Sequence, residues 1–202
     1  MDHRPDLVAF YDAHAADRAK RPMQEHRVAL RSRFVEMLRE AEVASLVEFG
    51  AGTGRDASAF AEAGFEVLAT DLSPEHVACC RQRGLTAQVA DFYDLPFDDE
   101  TFDAGWAMST FLHVPDADLH DVLTEVRRVL RPGALMGVGL WGGLDFEGAW
   151  VDDEPPQRFY ALRDHDRAQA MFAEVFTVVE FDAAPVEGHD DAEYQWMVVT
   201  VA

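Results

Sequence analysis

The chain has 202 residues, 17 of them Lys or Arg against 38 Asp or Glu, so 17 − 38 leaves a formal charge of −21. With 49% apolar residues it is long enough to bury a core without a metal or disulfide staple, and its acidity argues against nucleic acid or an anionic membrane as the main partner, because phosphate binding takes clustered Lys and Arg. The only two cysteines, Cys79 and Cys80, are adjacent, which excludes a disulfide framework and a zinc spacing, and no run of 18 apolar residues is present to span a membrane.

Met1 to Lys20 is charged and lacks the apolar stretch of a secretion signal, and two reduced thiols suit a cytoplasmic protein. Lys20 is the only lysine, and Ile and Asn are absent, a bias expected from a GC-rich genome. Residues 6–17 and 23–42 read as helices, the second with Leu30, Phe34, Val35, Leu38 and Val43 along one face. Ser45–Phe49 reads as a short buried strand, followed by a glycine cluster and a helix over Asp56–Ala63. Phe65–Asp71 is a strand. Ser73 caps the next helix with Pro74 at its first position, and Gly84 ends it. Thr86–Ala90 and Phe102–Ser109 are strands. Asp116–Leu130 is an amphipathic helix ended by Arg131-Pro132-Gly133, and Ala134–Leu140 is a fifth strand. Residues 141–163 form an excursion, and Asp164–Glu174 a helix. Phe176–Ala183 and Tyr194–Val201 pair as a hairpin across a loop holding Pro185 and Gly188. The sum is one α/β domain with seven strands. Its sheet is mostly parallel and covered on both faces, with one antiparallel strand from the C-terminal hairpin.

The chemistry concentrates at strand ends. Gly50-Ala51-Gly52-Thr53-Gly54 joins the first strand to a helix, where glycines let backbone turn sharply and approach a ligand. Its G-x-G-x-G spacing is neither the dinucleotide fingerprint nor a P-loop. Asp71 ends the second strand about 20 residues on, placed to accept ribose hydroxyls. Asp91 ends the third, followed by Phe92, and can accept from the amine of adenine.

Four segments in order, VEFGAGTG, ATDLSPEHV, ADFYDLPFDDETFDAGWAMSTFLHVPD and EVRRVLRPGALMGVGL, resemble the class I S-adenosylmethionine-dependent methyltransferases of the small-molecule branch. The resemblance implies a three-layer Rossmann-like fold over residues 1–202. Residues 1–42 would form a helical lid, 45–140 the cofactor-binding core and 141–163 a substrate-pocket excursion. It implies S-adenosylmethionine as cofactor, leaving as S-adenosylhomocysteine, with no metal. Gly50, Ala51 and Gly52 would meet the methionine moiety and Glu48 would orient their loop. Asp71 would hold the ribose, Leu72 would pack on adenine, and Asp91 and Phe92 would meet its amine edge. Ser109 would lie near the methionine portion and Tyr11 would fold over the cofactor from the lid. Gly133 is followed by Ala134 where the family has a second glycine.

The expected reaction is in-line methyl transfer to a small molecule, driven by alignment and exclusion of water. His113, just after the fourth strand, is the candidate base. His14, Trp141, Trp150, Arg158 and Tyr160 are candidate substrate contacts. Trp106 reads as core, Cys79 and Cys80 as inert packing, and His165 and His189 as exposed. Two other readings remain open: a non-catalytic module that binds the same cofactor, and a nicotinamide-dependent oxidoreductase. The acceptor atom stays unread, and both a monomer and a homodimer are compatible with the sequence.

Overall fold

Apolar spacing decides where the first elements pack. Helix α1 (Arg4–Arg18) is followed by α2 (Glu25–Glu40), whose Phe34, Val35 and Leu38 are buried on one stripe. Then come β1 (Ser45–Phe49), α3 (Arg55–Glu62), β2 (Glu66–Asp71), α4 (Pro74–Gln82), β3 (Thr86–Val89) and β4 (Phe102–Met108). A 3₁₀ turn at Phe111–His113 leads to α5 (Asp116–Val129) and β5 (Leu130–Gly142). The chain finishes with β6 (Phe146–Ala149), β7 (Phe159–Leu162), α6 (His165–Ala173), β8 (Thr177–Val186) and β9 (His189–Thr200). The structure is a computed structural model that describes residues 2–149, 155–186 and 189–202, the last set from 192 onward for side chains.

Seven strands form one sheet in the order β3-β2-β1-β4-β5-β9-β8. The pairs β1–β2, β1–β4, β2–β3 and β4–β5 are parallel, and β9 runs antiparallel to both β5 and β8. The strand order reverses between β1 and β4, and ligands in open α/β sheets bind beyond the carboxyl ends at such a reversal. Alternation along the strands feeds two cores. Phe34, Leu38, Phe60, Val77, Trp106 and Trp196 fill the layer under α2, α3 and α4, while Phe111, Leu119, Leu123, Val126 and Phe172 fill that under α5 and α6. Trp106 is fully buried, as core. Among the described residues, no helix is long and apolar enough to cross a membrane.

Three segments differ from expectation. The Arg131-Pro132-Gly133 segment is drawn into β5 instead of standing as a separate turn, with Gly133 at φ 81° and a register shift opposite Phe102 and Ala104. The 141–163 excursion contains a two-stranded antiparallel sheet, β6 with β7. The terminal hairpin is longer than its apolar runs. Pro185 lies inside β8, which tolerates a residue without an N–H because one side of this edge strand is unpaired.

Candidate functional site

The loop after β1 is built from left-handed backbone. Gly50, Gly52 and Gly54 have φ of 69°, 57° and 76°. A side chain at Gly50 would place its Cβ 2.2 Å from Thr110 Oγ1, so glycine there lets the loop press on the end of β4. At Gly52 a Cβ would meet nothing within 4 Å, and this residue borders the cleft instead.

That cleft contains about 880 Å³ of atom-free space counting its open mouth. Gly50, Ala51 and Gly52 line it from β1, Asp71 and Leu72 from β2, Phe92 from beyond β3, and Ser109 and His113 from beyond β4. Tyr11 closes it from α1. Asp71 is nearly buried, and its carboxylate is fixed by two backbone donors: Gly52 N–H at 2.7 Å and Ser73 N–H at 2.9 Å. A carboxylate has about four lone-pair sites, so roughly half remain for a ligand. Ser73 caps α4 by accepting from His76 N–H, and its hydroxyl donates to Asp12 of α1, tying that helix to the β2 end. Ser109 is a non-glycine at φ 57°, strained backbone held at the cleft wall.

His113 has a defined tautomer. Its Nδ1 lies 2.7 Å from the Phe159 carbonyl, which can only accept, so Nδ1 carries the proton of the neutral ring. Nε2 is then a lone pair, 2.7 Å from the Tyr11 hydroxyl that donates to it. Burial raises the Tyr11 pKa, against the pull of Arg18 and Arg158. Arg18 also lines the cleft and stacks 5.0 Å over the Tyr11 ring.

Several predicted residues lie elsewhere. Glu48 is 1% exposed and sits beneath the loop, off the cleft wall. Burial, then the charge of Asp56, raises its pKa well above 4.5. Asp91 is off the wall too: Arg4 pairs with it at 2.7 Å and Tyr93 N–H donates to it at 3.0 Å. The expected adenine acceptor is thus already engaged by the N-terminal segment. His14 folds back on its own helix, its Nδ1 donating to the Phe10 carbonyl and its ring stacking on Phe10. A residue of α1 facing that way does not reach the cleft. Trp141 packs at the seam of both cores within β5. Arg158 stacks on Phe10 and Tyr160, and Tyr160 lies 5.0 Å from His113. These two form a layer behind Tyr11 and His113, outside the cleft lining. Trp150 lies outside the described residues.

Other wall residues escaped sequence reasoning. Asp56 is 2% exposed and accepts from Arg27 at 2.9 Å and Arg31 at 2.7 Å. Burial opposes the Arg27 charge, but Asp56 holds its pKa above the ordinary value. Spacing four apart on α2 puts both arginines on one face, and that signal was visible. Arg55 lines the cleft and donates to the Arg21 carbonyl at 2.6 Å. His76 lines it as well, buried in the first turn of α4.

The methyltransferase-domain family model matches residues 47–138, the span from β1 to β5 that carries these strand ends. Methyltransferase GfsG of Streptomyces halstedii is 30% identical over 126 residues, 58% of this chain and 45% of that protein. The chain spans about half the length of the first curated relatives it matches. A SAM-dependent methyltransferase from Methanosarcina mazei superposes with a TM-score of 0.70 at 18% identity, covering 79% of this chain and 93% of that one. The 1,6-didemethyltoxoflavin-N1-methyltransferase of Burkholderia thailandensis, solved with bound 1,6-didemethyltoxoflavin and S-adenosylhomocysteine, superposes with a TM-score of 0.65 at 20% identity, covering 91% of this chain and 93% of that one. The strand order and the glycine loop under Asp71 give the chain the Rossmann-like fold of these neighbours, and over residues 47–138 its sequence is similar to the methyltransferase domain of the class I S-adenosylmethionine-dependent enzymes.

Proposed function

We propose that the cleft binds S-adenosylmethionine and transfers its methyl group to a small-molecule acceptor by in-line displacement. The observation that carries this reading is the Asp71 carboxylate, aimed by the Gly52 and Ser73 amides and bordering the cleft beside a glycine with open space where a Cβ would stand. A ribose diol fits the carboxylate and an amino-acid tail fits the bare backbone. Arg18 and Arg55 on the same wall suit the carboxylate of that tail. Leu72 and Phe92 offer apolar surface to a purine.

The cofactor supplies an electrophilic methyl on a cationic sulfur. What the chain adds is alignment, shelter from water and a place for the acceptor's proton. The Nε2 lone pair of His113 can take a proton, directly or through the Tyr11 hydroxyl, and the Phe159 carbonyl steadies the imidazolium that results. Arg158 and Tyr160 act behind this pair as positioning residues.

Isothermal titration with S-adenosylhomocysteine tests the binding half, with micromolar affinity expected and a fall of at least about tenfold for Asp71→Ala. Wild-type protein that binds neither S-adenosylmethionine nor its product below about millimolar overturns the reading. Incubating protein and S-adenosylmethionine with a metabolite extract tests the transfer half. A product one methylene heavier than its precursor is expected, and tight cofactor binding without any such product would favour a binding module instead.

A further inference from the structure

His76 is buried at 3% exposure, lies along the cleft, and has no hydrogen-bond partner for either ring nitrogen among the described residues. Its backbone N–H serves the helix cap, donating to Ser73 Oγ at 3.1 Å. That explains a residue at this position but not an imidazole. An aliphatic side chain would fill the same space without stranding two polar atoms, and a buried polar group left without its hydrogen bond is destabilising. The nitrogens are not far from chemistry. Asp71 Oδ1 is 3.3 Å from Nδ1, though not in hydrogen-bonding alignment, and the Tyr11 ring centroid is 5.3 Å from that of the imidazole.

We infer that His76 and Asp71 form a two-point site for a vicinal diol, with one hydroxyl donating to the carboxylate and its neighbour bonded to the imidazole. The two side chains are complementary in this task. An ionised carboxylate only accepts, while a neutral imidazole has one N–H donor and one lone pair. A hydroxyl both donates and accepts, so a pair of adjacent hydroxyls satisfies Asp71 and the orphaned nitrogens together. The ring nitrogens are covered in this fold, with the Tyr11 ring beside the imidazole. The inference rests on the methyl-transfer reading, which supplies a ribose, and adds that this chain reads the sugar with an imidazole as well as an acid. The ligand class is a ribonucleoside with both hydroxyls present.

The test is isothermal titration of the full chain with S-adenosylhomocysteine, adenosine, 2′-deoxyadenosine and 3′-deoxyadenosine. His76→Leu removes both nitrogens at similar volume, and His76→Gln restores a donor and an acceptor. S-adenosylhomocysteine affinity is expected to fall about tenfold in His76→Leu and to return to within about threefold of wild type in His76→Gln. Wild-type protein should prefer adenosine over one of the deoxy probes, and that preference should shrink in His76→Leu. On the unaltered chain, the His76 ring ¹⁵N resonances should shift when S-adenosylhomocysteine is added, a readout that needs no variant to fold. Unchanged affinity in His76→Leu, or unmoved resonances at saturation, overturns this inference and leaves the methyl-transfer reading standing. No binding of S-adenosylhomocysteine to wild-type protein overturns both.

Discussion

Gly50 and Gly52 share a backbone conformation and differ in what surrounds them, so alanine at each has a different consequence. Gly50→Ala drives a Cβ into Thr110 and is expected to cost at least about 2 kcal/mol in urea unfolding. Gly52→Ala carries only the backbone strain of about 1 kcal/mol, but its methyl enters the cleft, so its main effect should be lost affinity for S-adenosylhomocysteine in titration. Asp56→Asn leaves two guanidinium groups short of a counter-charge and is expected to lower unfolding free energy by about 3 kcal/mol. Glu48 sets a pH dependence. Its pKa is raised in the fold by burial and by Asp56, so above pH 4.5 the unfolded chain releases a proton that the folded chain retains. Its contribution is complete below that pH and is lost as pH climbs toward the folded value. Glu48→Gln should therefore flatten the fall of stability with pH above 4.5, measured by denaturant midpoints at each pH. Asp71, Tyr11 and the glycines were legible because strand ends and backbone demands leave marks in local sequence. The partners of His14 and Asp91 were not legible, because rotamer choice and a residue 87 positions away, Arg4, decide where their side chains bond.

Helix α1 is held by contacts to three different strand-end segments. Asp12 receives the Ser73 hydroxyl, Tyr11 bonds to His113, and Arg4 pairs with Asp91. Few of its residues are buried, with Leu7, Phe10 and Ala15 the apolar ones, so polar ties set its position more than core packing does. Asp12→Ala is expected to speed amide exchange across Arg4–Arg18 while leaving α5, whose Leu119, Val122, Leu123, Val126 and Val129 are core, at wild-type protection. Hydrogen exchange followed by mass spectrometry reads this directly. The βα units were visible in the sequence because each strand is a run of apolar residues followed by a capped helix. The β6–β7 pair was not visible, since a four-residue strand containing Gly148 has no clear alternation and its partner lies beyond a proline pair.

The whole molecule carries 21 more acidic than basic residues, by 38 − 17. Such a balance repels itself, and salt screens repulsion between surface charges over about 10 Å at 0.1 M. Raising NaCl from about 10 mM to about 0.5 M is expected to raise the melting temperature by several degrees, followed by far-UV circular dichroism. A melting temperature that falls with salt would place the surface ion pairs above the net repulsion. Fold class and layer arrangement could be read from one sequence because they follow from many weak signals that agree, whereas the wall of the cleft depends on a few side chains meeting across long separations. Strand β9 has a further consequence, since it lies between β5 and β8 and both neighbours precede it in the chain. While the polypeptide is being made, β5 has no partner on that side, and β8 has no place in the sheet at all. Until the segment through Thr200 leaves the ribosome, two strands' worth of edge stand open to other chains. The nascent protein therefore passes through an aggregation-prone stage that lasts until β9 has emerged, and chaperones that guard unfinished sheets would find it there.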